Sequence, residues 1–158
     1  MRPAVPMLND QLTADEFLQM IVTNFQSVVF GTVDVYGDPF TNVADLELCI
    51  DQQLIFATTY QKAFYQRLKG HPRLSVTALR GEETLESVGF TLNGLVKEVN
   101  RDYLDQIFAL HPEMEQISAN QSERRELLRP FAITPLNGSV YDLRQQPIFQ
   151  KRFDFGEG

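Results

Sequence analysis

The chain has 158 residues, 43% of them hydrophobic, and carries 14 Lys and Arg against 21 Asp and Glu, for a formal net charge of −7. That length and apolar content suit a single domain with a sizeable core, while the acidic balance argues against nucleic acid or an anionic membrane as partner, because such affinity comes largely from basic side chains on phosphates. Cys49 is the lone cysteine, so no internal disulfide and no multi-thiolate zinc site can form, and no segment approaches the roughly 18 apolar residues of a membrane helix; a soluble, cytoplasmic protein is expected.

Thr13 followed by Glu16 has the spacing of a capping box, and Phe17, Leu18, Ile21, Val22 and Phe25 then recur at helical intervals. Ser27 to Val35 is rich in β-formers, the turn Tyr36-Gly37-Asp38-Pro39 follows, and Phe40 to Ile50 reads as the second strand of a hairpin. Asp51-Gln52-Gln53 turns the chain into a third strand, Leu54 to Thr58. From Tyr60 the period changes: Tyr60, Phe64 and Leu68 lie four apart, and Gly70 with Pro72 ends a short helix.

Arg73 to Arg80 alternates again through Leu74, Val76 and Ala78. A long strand starts near Glu86, in which Val88, Phe90 and Leu92 share one parity and Leu95 and Val99 the other. Gly94 sits at the change, where a bulge or sharp bend would return both sets to the core. Arg101 to Glu115 reads as a second amphipathic helix with Pro112 as its end or kink, and Ser118 to Arg125 as a connection with a helical turn. Phe131 to Leu143, with Asn137-Gly138 inside it, is either a last bent strand or a hairpin. The whole chain, 1–158, is expected to be one α+β domain, an antiparallel split barrel of about six strands with flanking helices. Residues 1–12 and 144–158 are expected to be flexible or dimer-packing tails.

In that order of elements, and in four segments, the chain resembles the FMN-binding split barrels of the pyridoxamine 5′-phosphate oxidase family. The segments are SVVFGTVDVYGDPF, IFATTYQKAFYQRLKGHPRLSV, FTLNGLVKEV and PLNGSVYDL. The resemblance implies a homodimer with FMN at its interface, held by the second and third strands and the short helix. It carries the flavin-lining role onto Asn42, Val43, Ala44 and Asp45, the polar end of the third strand onto Thr58 and Thr59, and the phosphate side onto Gln61 and Lys62. The residues add their own reasons. Asn42 is the one polar group among Phe40, Ala44, Leu46, Leu48 and Ile50, and a buried amide needs a partner, either a flavin edge or nearby backbone. Lys62 at a helix start opposes the helix dipole unless an anion is bound there too, its alternative being an ordinary solvated lysine.

The family's Arg-x-Arg-Pro on the second strand is here Phe40, Thr41, Asn42 and Val43, and its Trp-x-Arg is Gly89-Phe90-Thr91. With those arginines gone, Lys62 must supply most of the positive charge, helped by Arg67 or Arg73. The resemblance implies an FMN-dependent oxidoreductase of unknown small-molecule substrate, with no catalytic side chain identified. The alternative is a ligand-binding dimer without turnover, or a member that has lost its cofactor. His71 and His111 are too far apart for a helical metal pair and no metal site is expected; Cys49, with no cation beside it, reads as an inert thiol.

Overall fold

The computed structural model describes residues 2–113 and 125–156, and its first helix is built as the spacing of Thr13 and Glu16 predicts. The Glu16 amide donates to Thr13 Oγ1 (3.1 Å) and the Thr13 amide to Glu16 Oε1 (3.0 Å), starting α1 (Ala14–Met20). The helix widens into a π turn over Ile21–Phe25 and stops at Gln26, whose φ is 61°. Phe17, Leu18, Ile21 and Phe25 are all buried.

β1 (Ser27–Val33) and β2 (Pro39–Asp45) form the expected hairpin, Ser27 opposite Asp45 and Val33 opposite Pro39. The stretch 40–50 is not one strand, however. At Leu46 the chain changes partners: the Leu46 amide donates to Gln26 O on the β1 side, and the next amide, Glu47, to Ile55 O (both 2.8 Å). β3 (Leu48–Ile50) then pairs with β4 (Gln53–Thr59). With β5 (Arg73–Arg80), β6 (Val88–Glu98) and β7 (Leu128–Asp142) the sheet order is β2-β1-β5-β6-β7-β4-β3, so this crossover puts the two ends of the order on one stretch of chain. The sheet curls into a split barrel, and α2 (Ala63–Gly70) and α3 (Tyr103–Leu110) flank it.

β5 (Arg73–Arg80) buries Leu74 and Val76 as its alternation predicts. In β6 (Val88–Glu98) the parity does not switch: Val88, Phe90, Leu92 and Val96 are all buried. The register does shift at the expected place, because Asn93 faces Asn137 while Gly94 faces Pro135. The extra residue is therefore Leu136, in β7 (Leu128–Asp142). Gly94 marks the closest approach of the two strands: a Cβ there would lie 2.6 Å from Ile133 Cγ2 and 2.9 Å from Thr134 O. Val99 is satisfied elsewhere, with a second cluster of Leu48, Ile55, Leu104, Ile107 and Phe108 beneath α3. The main core stacks rings instead, with Phe30 4.8 Å from Phe56 and Phe56 5.5 Å from Phe131; burying each such side chain is worth about 1.5–3 kcal/mol.

Asn137-Gly138 lies inside β7, so this segment is a bent strand and not a hairpin. The stretches expected to be tails are instead bound to one another. β8 (Phe149–Asp154) pairs with the second half of β7 and buries Phe149 and Phe153, a period-two pattern within its charged residues. Arg144 donates to Val5 O (2.9 Å) and Pro6 O (2.8 Å), and Gln145 to Leu8 O (2.7 Å), which seats Val5 and Leu8 in the core. The connection expected at 118–125 lies almost wholly outside the described residues. No helix among the described residues is long and apolar enough to cross a membrane.

Candidate ligand site between β2 and α2

Asn42 finds its partner on α2. Arg67 Nη2 donates to Asn42 Oδ1 (2.5 Å) and Arg67 Nε to Thr32 Oγ1 (2.9 Å), while the guanidinium carbon lies 4.6 Å from the centroid of the Phe40 ring. Thr32 is buried on β1 directly opposite Phe40. The fold brings these groups together because Phe64 and Leu68 bury one face of α2, which leaves Arg67 on the side facing the hairpin. Two hydrogen bonds and a ring contact hold the guanidinium in one orientation, worth about 2–4 kcal/mol before the entropy of ordering a long side chain is subtracted.

At the β4–α2 corner the Lys62 amide donates to Thr59 O (3.2 Å). Lys62 is the N-cap of α2 and makes no side-chain cap, so its ammonium is exposed beside Gln61. Thr58 points inward with Leu54 and Phe56 and is buried; Thr59 takes the other face of β4. On β2, Ala44 packs against the main core and Val43 is 74% exposed on the opposite parity. Asp45 accepts from Ser27 Oγ (2.5 Å), tied to the start of β1 and not to Arg67. The structure thus groups Thr59, Gln61 and Lys62 at one corner, links Asn42 to α2 through Arg67, and directs Val43, Asp45 and Thr58 elsewhere.

Between the hairpin tip and α2 lies a cleft of about 300 Å3 with Val33, Val35, Phe40, Ala63 and Arg67 in its walls. Asp34 also lines it, but its carboxylate accepts from the Tyr36 and Asp38 amides (both 2.9 Å). An apolar slot with a fixed guanidinium at its edge can take a flat ring bearing an anion. Around the strand from it, a groove of about 500 Å3 runs over the outer face of the sheet. There Thr41, Gly31, Ser75, Asn93 and Asn137 stand in one register across five strands. Ser75 Oγ donates to Asn93 Oδ1 (2.5 Å) and Asn93 Nδ2 to Asn137 Oδ1 (3.0 Å). His71 and Arg73 line the same groove. Cys49 is half-buried; burial, and then the Asp15 charge, push its thiol up to about 11, so it is inert as a nucleophile.

Sequence reasoning named Arg67 only as a helper and missed Thr32 and Phe40 as its partners. Helical spacing separates Arg67 from the buried Phe64 and Leu68, but which strand meets that side is a tertiary fact.

The family model described as pyridoxamine 5′-phosphate oxidase matches residues 14–140. No curated protein matches the chain in sequence. Among solved structures, a pyridoxamine 5′-phosphate oxidase-related, FMN-binding protein from Nostoc punctiforme is 13% identical with a TM-score of 0.60, over 82% of this chain and 80% of that one. A heme-binding protein from Mycobacterium smegmatis is 14% identical with a TM-score of 0.67, over 94% of this chain; the chain spans 60% of that protein's length. HutZ, the heme storage protein from Vibrio cholerae, is 17% identical with a TM-score of 0.56, over 89% and 92%. At these identities the likenesses establish a shared fold, one whose members include both FMN-binding and heme-binding proteins.

Proposed function

Because this chain belongs to the pyridoxamine 5′-phosphate oxidase family, we propose that it binds FMN between β2 and α2 and works as a homodimeric, flavin-dependent oxidoreductase on a small molecule. The observation that carries this reading is the position of Arg67. Its guanidinium lies on Phe40 and Asn42, the two β2 positions where the family's arginines would stand. The charge missing from the strand is supplied across it, from the helix. Arg67 and Lys62 would hold the phosphate, Thr59 and Gln61 the polar groups beside it, and Phe40 with Val33 and Val35 an apolar edge of the ring. Bound flavin supplies hydride or electron transfer. The chain's own residues bind and orient: the Thr32 and Asn42 oxygens hold Arg67 in place, and the closed Asp34 turn keeps that carboxylate hydrogen-bonded to its own loop. We place the second copy on the outer sheet face through Ser75, Thr91 and Asn93, where the two central rows from β2 to β7 hold no charged side chain.

The decisive measurement is the absorption spectrum of purified protein after addition of FMN and desalting. A retained flavin band is expected, and Arg67→Ala should weaken FMN binding by about tenfold or more, the worth of one charge-assisted contact, with a smaller loss for Lys62→Ala. A colourless protein would overturn the cofactor, and an Arg67→Ala variant as tight as the parent would overturn the assignment. Reduction of the bound flavin by a nicotinamide donor supports an enzyme; bound flavin that stays oxidised under such donors supports a binding protein.

A further inference from the structure

Another cleft, of about 430 Å3, lies where β4 ends and β7 begins, lined by Tyr60, Arg101, Glu126, Leu127 and Arg129. The Tyr60 amide donates to Leu127 O (3.1 Å), one step past the Thr59–Leu128 pair, which sets the exposed Tyr60 ring beside the helical turn at 125–127. Two arginines from separate elements reach the carbonyls of that turn. Arg101, just ahead of α3, donates from Nη2 to Arg125 O (2.5 Å). Arg129, in β7, donates from Nη1 to Glu126 O (2.5 Å) and Leu128 O (2.8 Å), and its guanidinium carbon lies 4.8 Å from the centroid of the Tyr60 ring. The carbonyls of 125 and 126 are consecutive, so the two guanidinium groups are fixed on neighbouring atoms of one turn and share one cleft.

Like charges held on adjacent carbonyls repel, and capping the turn needs only one of them. The third arginine of this corner shows the ordinary solution: Arg125 pairs with Asp105 and lies on the Phe108 ring, 4.7 Å from its centroid. Neither Arg101 nor Arg129 has a carboxylate partner among the described residues, and Glu126, the one acid in the lining, is exposed. A larger cavity, of about 810 Å3 at the other end of β2, also holds two arginines, Arg2 and Arg80, but acids answer them there. Ser27 Oγ accepts from Arg2 (2.8 Å) and donates to Asp45 (2.5 Å). Glu47 is buried, with Oε2 3.2 Å from Nε2 of His111, whose Nδ1 lies 3.4 Å from Glu113 Oε1. At Tyr60 two guanidinium groups face a single solvated acid.

We propose that the Tyr60 cleft is a second binding site, for the phosphate group of a small organic molecule. A guanidinium has five N–H donors, and each of these two anchors itself through one nitrogen, which leaves two nitrogens on each for a ligand. A carboxylate is satisfied by a single guanidinium fork, whereas a tetrahedral phosphate, with three oxygens and more than one charge, accepts from both. Tyr60 and Leu127 meet the organic part. Because the backbone already holds both arginines, little side-chain freedom is lost when the anion arrives. The site does not rest on the flavin reading, since it shares no residue with the Arg67 cleft.

The test is calorimetric titration of the full chain at low salt with phenyl phosphate, inorganic pyrophosphate and benzoate. At least one of the two phosphate compounds should bind, with benzoate about tenfold weaker; the tighter of the two tells whether the natural ligand is a monoester or a diphosphate. Arg101→Gln and Arg129→Gln should each weaken that binding by about tenfold. Arg125→Gln removes the same charge from the arginine that Asp105 already pairs, and should leave binding within about twofold. Arg101→Gln should hold FMN as the parent does, and a colourless parent that binds phosphate would sink the flavin reading alone. The proposal is overturned if neither phosphate compound binds, if benzoate binds as well as they do, or if Arg125→Gln costs as much as Arg101→Gln. It is overturned too if Arg101→Gln loses FMN along with phosphate, which would make the cleft part of the flavin site. Should Arg129→Gln fail to fold by circular dichroism, Arg101→Gln decides by the same criteria.

Discussion

Glu47 and Asp142 are both buried carboxyl groups, and their surroundings push them in opposite directions. Burial raises each, but Asp142 accepts from Arg144 Nε and Nη2 and from Gln145 (2.9, 2.9 and 3.1 Å), and these bonds bring it below the usual carboxylate range. Its stabilisation is present above the unfolded-state value and is lost as pH falls. Glu47 has the reverse sign. The unfolded chain releases that proton near 4.5, whereas the folded protein holds it to about 7. Between those values the native state binds more protons, so its stability falls as pH rises. Glu47→Gln keeps the shape and removes the titration. Urea unfolding at pH 5 and pH 7.5 should show the parent losing about 2 kcal/mol more than the variant across that interval; parallel losses would mean that Glu47 is already ionised at pH 5. The Glu-His contact was not legible in sequence, because residues 47 and 111 meet only through the packing of α3 on the β3–β4 side of the barrel.

Among the elements, what could be read locally was read well. The capping box, the four-residue spacing in α2 and the alternation of β5 each depend on neighbours within a few residues. Long-range facts were not available in the same way. The partner change at Leu46 depends on β4 approaching Glu47, and β8 looked like a charged tail because its inward Phe149 and Phe153 are separated by exposed polar residues. Gly94 is intermediate: its position marked the irregularity, but the additional residue sits across from it in β7. Two glycines separate crowding from chain entropy. Gly94→Ala forces a Cβ onto Ile133 and the Thr134 carbonyl and should cost about 2–3 kcal/mol. Gly70 ends α2 with nothing within 4 Å of a Cβ, and Gly70→Ala should be neutral or stabilising by about 0.5 kcal/mol. Denaturant midpoints of the pair test this directly, since equal shifts would remove close strand approach as the reason for Gly94.

For the whole molecule, the outer face of β1, β5, β6 and β7 bears on how many copies assemble. A solvated antiparallel sheet face normally carries long charged side chains. Here two successive registers hold Thr41, Gly31, Ser75, Asn93 and Asn137, then Val43, Val29, Thr77, Thr91 and Ser139. Despite a net charge of −7, neither row carries a charge across those strands. The short polar side chains bond sideways to one another, as Thr91 does with Ser139 (3.2 Å), which leaves the face flat. Depletion of charge at the centre of a flat, exposed surface is the composition of an interface, and a two-fold contact here would bring the face against its own copy. Sedimentation velocity should give a dimer for the parent. Thr91→Lys puts an ammonium at the centre of the face and, by symmetry, a second one nearby, so a monomer with an unchanged circular dichroism spectrum is expected. The resemblance puts the proposed FMN at a dimer interface, so the monomeric variant should also retain less FMN after desalting. A Thr91→Lys protein that stayed dimeric would place the contact elsewhere, while a monomer holding FMN as tightly as the parent would make the Arg67 site complete within one chain.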